Sequence, residues 1–393
     1  MILQLLSEGK ITVEESENLL AALGKEKSED SSKSNNKKEE GKTRRQASGR
    51  QEYKAEWQND AFNPFRDATK LGFDLRNLAQ TVQQSVQHAI KKAEPRSREF
   101  KDKMKEFGNW MQDVVGTMAA EVGHMKGDPV DGVSVDFVAN LPKGIEDCNS
   151  FNFENIFGEI RIQEGSECKI HINGRISKEC LGEYNPAQWF SRNGMKIKDK
   201  TLNVGFDKNQ SVKALIDMEI TLPPEMILSC KTVSSAVRIR GNYIVDELKT
   251  VNGNIRVQGA NLKQALIETV SGNVQIEGGE IDLQIKSTSG DFLVRNSKIE
   301  NLKINSVSGD ILLTEAIISE KTDVKLITTS GDIIVEKMSG PWSLVEATTR
   351  SGETVLDWKG DATPVNNKGT NLKSGSEGAC FKADSVSGDI QFT

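Results

Sequence analysis

The chain has 393 residues, of which 36% are hydrophobic and 27% charged, and a formal net charge of −6. That length allows two or three domains, and no run approaches the ~18 apolar residues of a membrane span. The charge is uneven: residues 1–128 hold 22 Lys+Arg against 21 Asp+Glu, and residues 129–393 hold 29 against 36, so the second part is acidic and reads as no nucleic-acid binder.

The N-terminus lacks the basic stretch, apolar core and cleavage site of a secretory signal. A cytoplasmic location is therefore expected, with peripheral contact at the membrane as the alternative. Cys148, Cys168, Cys180, Cys230 and Cys380 are an odd set without a CxxC pair, which reads as reduced thiols. His88, His124 and His171 lie scattered, so no metal or cofactor site is expected.

In chain order, residues 1–24 predict a helical hairpin. Ile2, Leu3, Leu5 and Leu6 make a first helix, Gly9 stops it, and Thr12 with Glu15 forms a capping box for a second helix carrying Leu19, Leu20 and Leu23. So short a piece needs a partner, and self-association is expected. Residues 25–60 are polar, of mixed charge and without period, and read as a disordered linker with a basic stretch from Lys37 to Arg50. Residues 61–128 predict two amphipathic helices. The first carries Leu71, Leu75, Leu78, Val82, Val86 and Ile90 and breaks at Pro95; the second carries Phe100, Met104, Phe107, Met111, Val114 and Met118. Coiled-coil packing is the default for such spacing, and an interfacial membrane helix is the alternative.

Residues 129–393 predict a β-solenoid. Ser-Gly-Asp or a close variant recurs with its glycine at 253, 272, 290, 309, 331, 352 and 388. The intervals are 19, 18, 19, 22, 21 and 36 residues, the signature of stacked units. Each motif is flanked by short alternating β-branched runs such as Leu302–Val307 and Ile311–Leu313, which read as strands with one inward row. Gly253, Gly272, Gly290, Gly309, Gly331 and Gly388 are assigned to turns that need positive φ. Asp291, Asp310, Asp332 and Asp389 are assigned to fixing those turns through backbone hydrogen bonds. Phe157–Ile162 reads as a first, degenerate unit, and Val233–Val237 as a second with Ala236 in the glycine's place. Gly182–Asn193 reads as a loop or short helix, Ala214–Leu222 as a strand stopped by Pro223 and Pro224, and 359–379 as a long loop. The final strand, ending at Phe392-Thr393, is expected to leave an open edge that a second copy could cover.

The repeated Ser-Gly-Asp-Ile units, preceded by Ile220-Thr221-Leu222-Pro223-Pro224, resemble the bacterial β-strand-repeat family called "putative adhesin". The start, Ile2 to Leu20, resembles a SHOCT-like domain, which is commonly joined to this repeat in Gram-positive bacteria. The resemblance implies a non-enzymatic scaffold or interaction protein, oligomeric through its N-terminus, with a role in cell-envelope stress. It brings no catalytic motif. Two other functions are weighed: an envelope sensor for cationic peptides or the membrane surface, and a carbohydrate-active β-helix enzyme using stacked Asp291, Asp310 and Asp332.

Overall fold

The computed structural model describes residues 132–205, 214–357, 361–364, 369–373 and 377–393. The hairpin expected at 1–24, the linker at 25–60 and the helices at 61–128 lie outside these residues. Within them the chain forms two sheets. In spatial order the 12-stranded sheet is β1 (Gly132–Val138), β4 (Lys169–Ser177), β7 (Ala214–Leu222), β3 (Ile160–Glu164), β9 (Val237–Arg240), β11 (Ile255–Gln258), β13 (Val274–Glu277), β15 (Phe292–Arg295), β17 (Ile311–Thr314), β19 (Ile333–Glu336), β25 (Ile390–Phe392) and β21 (Thr354–Leu356). The 13-stranded sheet is β22 (Asp361–Pro364), β23 (Gly369–Lys373), β20 (Trp342–Ser351), β24 (Ala379–Ser387), β18 (Ile317–Ser330), β16 (Lys298–Asn305), β14 (Glu280–Ser289), β12 (Leu262–Ser271), β10 (Ile244–Asn252), β8 (Ile227–Ser234), β2 (Ser150–Phe157), β6 (Thr201–Val204) and β5 (Met195–Lys198).

Each coil of the solenoid is one long strand, a Ser-Gly-Asp turn, one short strand and a second turn. Successive long strands pair in parallel, as do successive short ones. Alternation then decides which side chains meet. Ile255 and Val257 of β11, Val274 and Ile276 of β13, and Phe292 and Val294 of β15 are all buried, and they join Leu248, Ile267 and Ile285 of the long strands in one core. Burying each such side chain contributes roughly 1.5–3 kcal/mol, and no coil gains it without a neighbour.

The ends depart from the repeat. At the N-terminal end, β1, β4 and β7 form an antiparallel meander, and β5 and β6 an antiparallel hairpin. Between them α1 (Lys178–Leu181) leads to α2 (Pro186–Asn193), whose start is capped by Asn185 Oδ1 accepting from Gln188 N at 2.9 Å. Trp189 and Phe190 of α2 are buried in the core.

Two expectations for the C-terminal end are corrected. The segment 359–379 is not a loop throughout: β22 and β23 pair antiparallel inside it and extend the sheet beyond β20. The final strand is not at an edge. β24 inserts between β18 and β20, and β25 between β19 and β21, so the last coil in sequence is the penultimate one in space. The long interval between Gly309 and Gly331 also has a local cause. Ile299 pairs with Ile318 but Asn301 pairs with Asp323, so the extra residues bulge from β18. Buried Thr322 closes the bulge by donating to Ile299 O at 2.8 Å and accepting from Ser319 N at 2.9 Å.

Candidate functional site

The Ser-Gly-Asp turns stack into one edge, and their acidic residues form a ladder. Asn254 Oδ1 accepts from Asn273 N at 3.0 Å, Asn273 Oδ1 from Asp291 N at 2.9 Å, and Asp291 Oδ1 from Asp310 N at 3.0 Å. The series continues with Asp310 Oδ1 and Asp332 N, Asp332 Oδ1 and Asp389 N, and Asp389 Oδ1 and Glu353 N, each at 2.8 Å. A carboxylate or amide in one coil thus satisfies a backbone donor in the next. Burial, reinforced by the charges of Asp310 and Asp389, holds the Asp332 carboxyl above its ordinary range, against the lowering effect of its backbone bond.

The glycines carry a second constraint. Gly290, Gly309, Gly331 and Gly388 have positive φ, but Gly253 and Gly272 do not, so positive φ is not the shared reason. All six share a close approach instead. A Cβ on Gly309 would lie 2.7 Å from the carbonyl carbon of Gly290, and closer still to its oxygen. The same clash with the preceding coil recurs at Gly253, Gly272, Gly290, Gly331 and Gly388. The register also corrects the second unit. Val237 pairs with Ile255, so Ser235 occupies the glycine position and Ala236 the Asp position. Ala236 has no acceptor to offer, and the ladder stops there.

A third column was missed in the sequence. Three residues before each turn glycine stands Thr250, Thr269, Ser287, Ser306, Thr328, Thr349 or Ser385, with Thr232 at the equivalent place, and all are buried. Several donate to turn carbonyls: Ser306 Oγ to Ser308 O at 3.0 Å, Thr328 Oγ1 to Gly309 O at 3.3 Å and Thr349 Oγ1 to Gly388 O at 2.8 Å. Aligning the units on their glycines exposes this signal.

Where the ladder stops, a charged network crosses the outer face of the short-strand sheet. Asp136 on β1 contacts His171 Nε2 on β4 at 2.6 Å, and His171 Nδ1 lies 3.5 Å from Glu219 on β7. Glu219 pairs with Arg161 on β3 at 3.3 Å. Glu159, only 6% exposed at its side chain, bridges Arg161 and Arg238, with Arg238 Nε at 2.6 Å. The hydrogen bond to Asp136, helped by Glu219, holds the His171 imidazole above its usual value against the opposing effect of burial. Asp217, half-buried beside this network, is raised by burial first while its Oδ1 accepts from Glu159 N at 2.7 Å.

Register makes this face a set of rows. Arg161, Arg238 and Arg256 stand opposite one another on β3, β9 and β11. The same row continues through buried Gln275 to half-buried Leu293, Leu312 and Ile334. Among the described residues no group of His, Cys, Asp and Glu has the spacing to hold a metal. No helix among them is long and apolar enough to cross a membrane.

These features define a repeat-built, two-sheet parallel β-solenoid. A family model described as Toastrack DUF4097 matches residues 152–393, from β2 to the last residue, and the chain belongs to that family. Solved structures are similar at low identity. One, described as a "putative adhesin" from Bacteroides fragilis NCTC 9343, is 16% identical with a TM-score of 0.40, covering 66% of this chain and 96% of that one. Another, described as a "putative cell adhesion protein" from Clostridium sporogenes ATCC 15579, is 11% identical with a TM-score of 0.19, covering 66% and 99%. A third, a "putative adhesin" from Parabacteroides merdae ATCC 43184, is 12% identical with a TM-score of 0.23, covering 67% and 97%. No curated protein matches the chain.

Proposed function

We propose that this chain is a non-enzymatic interaction protein of the cell-envelope stress response. Its solenoid presents a long face to a partner, and its N-terminal segment recruits or oligomerises. One observation carries the reading. The recurring polar motif, which as a row of carboxylates could suggest catalysis, is engaged in joining coil to coil. Glycoside cleavage needs two carboxyl groups flanking the scissile bond from opposite sides, whereas Asp291, Asp310 and Asp332 lie one strand apart along a single edge. Recognition then falls to the outer faces, where rows of side chains repeat at the ~4.8 Å strand spacing. Solenoids commonly bind through such surfaces.

The test is fractionation of cells carrying a tagged full-length chain, with and without a membrane-active peptide. Movement into the envelope fraction on peptide treatment supports the stress reading. An unchanged distribution removes it and leaves a scaffold whose partners lie elsewhere. A second reading, direct capture of cationic peptide, draws on the row of acids from Asp291 to Asp389 and Glu353 along the exposed edge. It requires peptide binding by the purified chain that weakens as salt is raised.

A further inference from the structure

We propose that the arginine rows on the outer face of the short-strand sheet form a binding site for an extended anion carrying repeated phosphate groups. Arg161, Arg238 and Arg256 stand in one row, and Arg240 lies two residues beyond Arg238 on β9. Arg240 pairs across the strands with Gln163 and Gln258, so neutral amides flank it. Arg295 joins the cluster through Glu277, which it contacts at 2.8 Å and which also accepts from Gln258 at 2.9 Å.

Basic groups gather on this face of an acidic domain. Five arginines share it with Glu159, Glu219, Glu277 and half-buried Asp217, and His171 shares Glu219 and holds Asp136. Arg161 and Arg238 are held by Glu159, which fixes their guanidinium groups in place. No ion pair among the described residues engages Arg240, and Arg256 has only the longer-range attraction of Glu277, whose carboxyl its charge helps to hold low. The Nε donors of Arg256 and Arg295 are buried with no acceptor. A buried donor without a partner is costly, so neither side chain is fully satisfied within the fold.

The geometry indicates the ligand's form. Arg161, Arg238 and Arg256 lie on an open sheet face on three successive strands at ~4.8 Å intervals, so a ligand that engages the row must be extended and charged along its length. Guanidinium forks bind phosphate oxygens in pairs. The inference rests on the reading of this domain as an interaction module and names the ligand class for one of its faces.

The experiment is titration calorimetry of the full-length chain with inorganic polyphosphate. Arg240→Gln and Arg256→Gln are each expected to weaken binding at least about tenfold, the effect of one lost charge-assisted hydrogen bond. Lys325→Gln, on the other sheet in register with Lys303 and Lys382, is expected to leave binding unchanged. Urea unfolding of each variant shows that the fold persists. Absence of polyphosphate binding overturns the proposal, as does equal loss from Lys325→Gln, which would mean a diffuse charge effect. Equal or tighter binding of polyglutamate also overturns it, by showing that the face does not select phosphate. Envelope recruitment is measured separately by the fractionation, so failure of polyphosphate binding and failure of the stress reading are distinguishable.

Discussion

Replacing Gly309 by alanine should cost the β-domain about 3–4 kcal/mol. The new Cβ would lie 2.7 Å from the carbonyl carbon of Gly290, and ordinary contact begins near 3.4 Å. The two coils must part by at least 0.7 Å (3.4 − 2.7). That lengthens Gly290 N to Ser308 O from 3.2 Å and Phe292 N to Asp310 O from 2.9 Å, beyond useful hydrogen-bonding distance. Losing them costs about 1 kcal/mol each, and the φ of +126° adds about 1–2 kcal/mol for a residue with a Cβ. Two controls separate the causes. Gly272→Ala keeps the clash without positive φ and should cost about 2–3 kcal/mol. Gly182→Ala has φ +55° but open space around it and should cost only about 1 kcal/mol. The assay is urea unfolding read as a shift in midpoint at constant slope. A Gly309→Ala protein within about 0.5 kcal/mol of the parent would refute the stacking argument.

Other consequences follow from the same contacts. Asp332→Asn should stabilise the domain at neutral pH, because the amide keeps the bond from Asp389 N and removes a half-buried charge; Asp332→Leu should destabilise it by about 1–3 kcal/mol through the orphaned N–H. The sign follows from the raised carboxyl: its cost is present at neutral pH and disappears as pH falls through the folded value, so Asp332→Asn should gain least over the parent in acid, as urea midpoints from pH 7 to 3 would show. His171 works in the opposite sense. Its contribution is full below about pH 6.5 and is lost as pH rises through the higher folded value, and on so exposed a group it is worth well under about 1 kcal/mol; an NMR titration of the ring should give a midpoint above that of a model peptide. Tyr243→Phe should cost about 1 kcal/mol, since the buried hydroxyl donates to Leu222 O at 3.0 Å. The same phenol, pushed up to about 12 mainly by burial, should ionise in the native protein only near that pH, followed by ultraviolet absorbance.

The fold was legible because the repeat is written in the turns. The glycine period and the alternating runs on either side specify stacked β units without help from tertiary context, while the two faces of each coil emerge only in the structure. Local chemistry marked Gly182–Asn193 as a loop or short helix, within which α2 lies, and marked the stop at Pro223. Spatial order was not legible. Nothing in residues 379–393 says that this coil inserts between β18 and β20, because every long strand carries the same inward pattern and fits either side. The hairpin β22–β23 was hidden in a stretch rich in Gly, Asn and Lys, whose strand character comes from the edge of β20 that it covers. The glycine rule was assigned to φ because φ is the usual reason, while the approach of the next coil's backbone is a property of the stack. The arginine face was hidden for the same cause: Arg161, Arg238 and Arg256 lie far apart in sequence, and only register places them in a row.

The central claim is that recognition lies on the outer face of the short-strand sheet and that the Ser-Gly-Asp edge holds the coils together. The most direct measurement compares two full-length double variants in cells after exposure to a membrane-active peptide. Asp310→Asn with Asp332→Asn leaves the ladder bonded, and Arg240→Glu with Arg256→Glu reverses charge on the face. The account predicts that the first variant enters the envelope fraction like the parent and the second does not. The reverse pattern, with the arginine variant recruited and the asparagine variant lost, would contradict it.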